Sequence, residues 1–150
     1  MENKEKVFSE LNRIWLGFLG FLILYTIIIW IRHPFPLEFK PYSNTFSNFS
    51  SIPITVKMLF FLGIGECIFV AGKKNTFRKV FPKVNAKAIH IMAWAFAESI
   101  ALYGFIAAFI TKNGIFYPPF LILSLIALFI WKPNKSEIEN ESGENPYSFE

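Results

Sequence analysis

Eighteen consecutive residues, Ile14 to Ile31, carry no charge. A run of that length is enough for a helix to cross the roughly 30 Å hydrocarbon layer of a bilayer. Three further apolar runs follow, at about 53–72, 88–111 and 115–131. In hydrocarbon every backbone polar group must be satisfied internally, so apolar runs of this kind fold as helices. Composition agrees. The chain is 53% hydrophobic and 19% aromatic, with only 17% charged residues, below the share expected of a soluble domain. The expectation is an all-α integral membrane protein of four transmembrane helices embedded in the lipid bilayer.

The segments between the runs fit that plan. Residues 1–13 are polar and of mixed charge. Arg32, His33, Pro34 and Pro36 close the first run, and Trp15, Tyr25 and Trp30 suit its interfacial ends. The first run lacks a small-residue cleavage site and reads as a retained helix. The loop to residue 53 is rich in Ser, Asn, Phe and Pro, and Phe39, Phe46 and Phe49 suit a membrane surface. Its Asn48-Phe49-Ser50 matches a glycosylation sequon, a short motif with little weight alone. Residues 73–87 form a basic connector with six Lys or Arg and no acid, long enough for the helices to project past the bilayer. Lys112-Asn113-Gly114 is a short connector, and Pro118 and Pro119 fall in the first turn of the fourth run, where proline is tolerated. Residues 133–150 form an acidic tail with five glutamates, expected to be disordered.

Lys and Arg set the orientation. Eleven lie in the N-terminal segment, the 73–87 connector and the tail. Four (Arg32, Lys40, Lys57 and Lys112) lie on the other side. The positive-inside rule then places both termini in the cytoplasm, in a cell membrane of the bacterial inner-membrane type. The net charge of +4 is a topology signal, not a nucleic-acid footprint. The basic connector would also suit anionic lipid headgroups.

Two acids break the apolar pattern: Glu66 in the second run and Glu98 in the third. An ionised side chain at bilayer depth costs roughly 2.5 to 3.5 kcal/mol on insertion scales, so such residues mark functional sites by default. Glu66 lies six residues inside Gly72, about 9 Å, and Glu98 ten residues inside Ala88, about 15 Å. Fraying or extension of the helices would bring them level. Two carboxylates close together in a low dielectric must share a proton, hold a cation or titrate as a pair.

At about 100° per residue, Ala93, Ala97, Ala101, Gly104 and Ala108 form one narrow stripe on the third run. Small residues at this spacing let a second helix approach closely, within the chain or from a partner. Ser99 and Tyr103 share a face near Phe96, pointing away from Glu98. One helix therefore cannot aim all of these groups at a single ion. Two copies side by side could, with Glu98 of one meeting Ser99 and Tyr103 of the next, which would imply a homo-oligomer.

The run Ala95 to Gly104 resembles the ion-carrying helix of the rotary ATPase proteolipid, the F-type and V-type subunit c. Gly63-Ile64-Gly65-Glu66 with Ala71-Gly72-Lys73 is similar to that family's first helix. The resemblance covers about residues 60–112. It implies a helical hairpin that binds H⁺ or Na⁺ at Glu98, possible service in ion translocation, and other membrane subunits as partners. Glu66 would be the second carboxylate, Ser99 and the Phe96 carbonyl would be ligands, and Tyr103 would hydrogen-bond Glu98.

Other chemistry is sparse. Cys67 is the single cysteine and reads as a buried thiol. His90 reads as a packing or interfacial histidine, and neither histidine has metal-ligand spacing. There is no phosphate loop, nucleophile elbow or zincin motif. No enzyme, resident metal or cofactor beyond the bound ion is expected. The alternative function is a non-transporting scaffold or assembly factor that packs partners through small-residue helix faces.

Overall fold

A computed structural model describes residues 2–32, 50, 52–72, 80, 84 and 86–134. His33, the aromatic loop with its sequon, most of the basic connector and the tail from residue 135 lie outside the described residues. The elements are helices: α1 (Glu2–Arg32), α2 (Ile54–Ala71), α3 (Ala86–Thr111), a 3₁₀ turn (Gly114–Phe116) and α4 (Tyr117–Ile130). The fold is all-α. The first three helices are long and apolar enough to cross a membrane. The fourth is shorter: its 14 residues rise about 21 Å, and the 3₁₀ turn adds about 6 Å.

Helix α1 begins twelve residues before the uncharged run. The mixed-charge start was expected only as a polar segment, yet Lys, Glu and Leu are good helix formers. Val7, Phe8, Leu11 and Trp15 recur at helical spacing, and Leu11 is fully buried. Lys87 Nζ lies 2.6 Å from Glu10 Oε2, tying the start of α1 to the first turn of α3.

The bundle is assembled around α3, which packs against α1, α2 and, most extensively, α4. Its small-residue stripe is the reason. Ala93, Ala97, Ala101 and Ala108 are fully buried, and Gly104 is buried with them. A Cβ at Gly104 would lie 2.6 Å from Cβ of Phe120, so only glycine admits α4 at this distance. Phe120 also lies beside Gly63 and meets Phe60 edge to face at 5.6 Å, which locks α2, α3 and α4 at one point. Ser124 Oγ donates to the Ala97 carbonyl at 2.6 Å. In lipid, helices associate by such close packing and by interhelical hydrogen bonds, because burial from hydrocarbon gains no hydrophobic free energy. The stripe thus serves packing within the chain.

The helix ends are satisfied locally. Lys112 takes φ 54°, and the Asn113 N–H reaches the Ala108 carbonyl while the Lys112 N–H reaches Phe109, the left-handed stop that permits a short connector. Asn113 then caps the 3₁₀ turn through the Ile115 N–H. At the other end of the bundle, indole N–H groups reach carbonyls at helix C-termini that helical bonding leaves open. Trp131 donates to Val70 at 2.8 Å, Trp15 to Leu128 at 3.1 Å, and Trp94 to Trp131 at 3.0 Å. Trp15, expected at an interface, is buried in this layer.

The outer surface is apolar. Ile31 is 72% exposed, Ile54 70% and Ile68 69%, and Phe61, Met58 and Ile23 follow closely. Exposed apolar side chains of this kind occur on all four helices and are suited to lipid.

Candidate carboxylate sites in the helix bundle

Both intramembrane-type acids point into helix contacts, but into different ones. Glu66 projects from α2 towards α3. Ser99 Oγ lies 2.5 Å from Glu66 Oε2 and the Tyr103 hydroxyl donates to Oε1 at 2.6 Å. Ser99 and Tyr103 are four residues apart, one turn, so α3 presents both hydroxyls to one carboxylate. Ser99 Oγ is also 2.7 Å from the Phe96 carbonyl, and the Phe96 ring meets Phe69 of α2 edge to face at 5.6 Å. The aromatic pair lies about one turn from the cluster along both helices.

Glu98 projects from α3 towards α1. Its Oε1 accepts from the Tyr25 hydroxyl at 2.8 Å, and the Tyr25 ring packs on Phe105 at 5.4 Å. Its second oxygen has no hydrogen-bond partner among the described residues. Among those residues neither Glu66 nor Glu98 has a cationic partner.

The side chains expected around Glu98 therefore meet the other acid. Ser99, Tyr103 and the Phe96 carbonyl gather at Glu66, not at Glu98. The helical angles correctly separate Ser99 and Tyr103 from Glu98. The groups that meet them come from α2 of the same chain, so a second copy is not needed to complete the cluster. Glu66 and Ser99 are level, which puts the two acids at nearly the same height on adjoining faces of α3.

Tyr25 is the residue that the sequence reading misses at this site. It was expected as an interfacial anchor because it is aromatic and near the end of an apolar run. Its position seven residues before Arg32, in an otherwise apolar stretch, was the available signal. Thr26 beside it makes a second polar rung: its Oγ1 lies 3.2 Å from the Tyr117 hydroxyl of α4.

The remaining candidates have packing roles. His90 is buried, with Trp94 and Trp131 edge to face at 5.8 and 5.3 Å. Cys67 is partly buried, with Sγ 4.0 Å from the Leu123 carbonyl. No group of three or more His, Cys, Asp or Glu among the described residues is arranged to hold a metal.

No protein-family model, curated protein or solved structure matches the chain. The likeness to subunit c accordingly rests on the quoted residues alone.

Proposed function

We propose that the chain is a four-span membrane protein, with both termini cytoplasmic, that binds H⁺ or Na⁺ at a carboxylate in the α2–α3 contact. The observation that carries this is Glu66: both of its oxygens meet hydroxyls of α3 at a partly buried contact between apolar helices. An acid in such surroundings is costly unless it is neutralised or holds a cation. Glu98, one position from Ser99, is the second titratable group and could exchange ions with it. The likeness to the proteolipid hairpin supports the same reading and extends it to ion translocation, with Ser99, Tyr103 and Phe96 now grouped on Glu66. The roughly 27 Å reach of the 3₁₀ turn and α4 supports a fourth span in the cell membrane, and the Lys and Arg count supports the orientation.

The test is carbodiimide labelling of the purified protein in detergent, read by mass spectrometry across pH, with and without Na⁺. Carbodiimides attack protonated carboxyls in apolar surroundings. Selective labelling of Glu66 or Glu98 is expected, and slowing by Na⁺ but not K⁺ would identify a sodium site. If neither residue labels faster than the tail glutamates, ion binding is excluded. The scaffold reading then takes its place, and it would have to use the exposed apolar faces of the helices, because α4 already covers the small-residue stripe.

A further inference from the structure

The contacts around Glu66 outnumber the hydrogens available to make them. Three oxygen pairs are at hydrogen-bond distance: Tyr103 hydroxyl to Glu66 Oε1 at 2.6 Å, Ser99 Oγ to Glu66 Oε2 at 2.5 Å, and Ser99 Oγ to the Phe96 carbonyl at 2.7 Å. A carbonyl only accepts, and each hydroxyl carries one hydrogen. Tyr103 supplies the first bond. Ser99 can supply the second or the third, but a single hydrogen does not serve both well. One pair is left with lone pairs facing each other unless the carboxyl itself carries a hydrogen.

Two threonines in this bundle show one course open to the Ser99 hydrogen. Thr26 donates to the carbonyl four residues back, Leu22, at 2.8 Å, and Thr111 does the same to Ala107 at 2.7 Å. Such back-bonding is open to a hydroxyl on an apolar helix, whereas Ser124 donates instead to a carbonyl of the neighbouring helix. Ser99 in the same state donates to Phe96. Its oxygen is then an acceptor towards Glu66 Oε2.

Resting on the ion-binding function proposed above, we propose that the ion held at Glu66 is a proton, carried on Oε2 and donated to Ser99. The chain of bonds then runs Glu66 Oε2–H to Ser99 Oγ, and Ser99 Oγ–H to the Phe96 carbonyl, while Glu66 Oε1 accepts from Tyr103. Every contact has one hydrogen. The groups around Glu66 do not oppose a neutral form. Helix α3 brings Tyr103 and, on its adjoining face, Glu98; α2 brings Cys67 beside it, with Lys57 nine residues away. Helix α4 carries no charged residue, and its one titratable group, Tyr117, bonds towards Leu22 and Thr26 of α1. Glu98 has no such surplus of contacts.

Infrared spectroscopy of the purified full chain in lipid tests this. At pH 8 a protonated-carboxyl carbonyl band is expected in the wild type and in Glu98→Gln. It is expected to be lost in Glu66→Gln. That variant should fold, because its amide N–H₂ can donate to Ser99 and its oxygen can accept from Tyr103 as the neutral acid does. Ser99→Ala should keep the band and shift it to the higher frequency of a weaker hydrogen bond. The proposal is overturned if the wild type has no band, or if Glu98→Gln removes it and Glu66→Gln does not. With no band, Na⁺ protection of Glu66 from carbodiimide would retain ion binding and replace the proton by sodium. No band and no selective labelling would remove both.

Discussion

Glu66 and Glu98 are the same residue at nearly the same height in the bundle, yet they are held differently. Glu66 has a partner on each oxygen, both from the helix most closely packed on its own, and its cluster is drawn together by the tight α3–α4 seam next to it. Glu98 has one hydroxyl partner, supplied by α1, and a second oxygen without one among the described residues. The difference shows that the sequence position of an acid within an apolar helix does not decide its surroundings; the groups that the neighbouring helix presents to it do.

The comparison can be broken most severely at the seam. Gly104→Leu would drive a side chain into Phe120, and overpacking of this kind costs about 1 to 3 kcal/mol or more. The neighbouring Tyr103 should lose its place on Glu66. Thermal unfolding in detergent should show a large drop, and Glu66 labelling should approach that of exposed glutamates. Next comes Tyr103→Phe, which removes the hydroxyl that donates to Glu66 Oε1. A loss of about 1 to 2 kcal/mol is expected. Tyr25→Phe removes the single donor to Glu98 and should cost less, about 0.6 kcal/mol, the average for interhelical hydrogen bonds in a membrane bundle. Equal losses in the two variants would erase the distinction between the sites.

The smallest effect is expected outside both sites, where a control acid sits. Hydrogen bonding to Lys87, then its charge, holds the Glu10 carboxyl below the usual carboxylate range. Glu10 precedes the uncharged run and is exposed to solvent. Its folded value is depressed, so its contribution is present above the ordinary carboxylate value and is lost as pH falls through the lowered one. Melting of the wild type and Glu10→Gln should therefore differ slightly at pH 7 and converge in acid. Screening by salt should shrink the difference further.

Much of this was legible in the sequence, for identifiable reasons. The apolar runs marked the helices to within a few residues at most ends, because length and lack of charge suffice for that. Ala93, Ala97, Ala101, Gly104 and Ala108 announced a close helix contact, though not that Phe120 would fill it. The start of α1 was hidden because its charges masked the helical spacing of Val7, Leu11 and Trp15. The carboxylate sites were half legible. Helical angles placed Ser99 and Tyr103 on one face, but angles on one helix cannot say which neighbour that face meets. The partner was Glu66, already in view as an acid of the preceding helix. Tyr25 was hidden by its likeness to an interfacial anchor, since the same residue type serves both roles.

The pairing itself is tested most directly by a double-mutant cycle on unfolding free energies in detergent, with Glu66→Ala, Glu98→Ala and Tyr103→Phe. Residues in direct hydrogen-bond contact couple, whereas those that share no contact add. Glu66 and Tyr103 should couple by about 1 kcal/mol, and Glu98 and Tyr103 by no more than about 0.3 to 0.5 kcal/mol. Coupling of Tyr103 to Glu98 with none to Glu66 would contradict the arrangement, and would return the ligand set to Glu98 across a contact between copies.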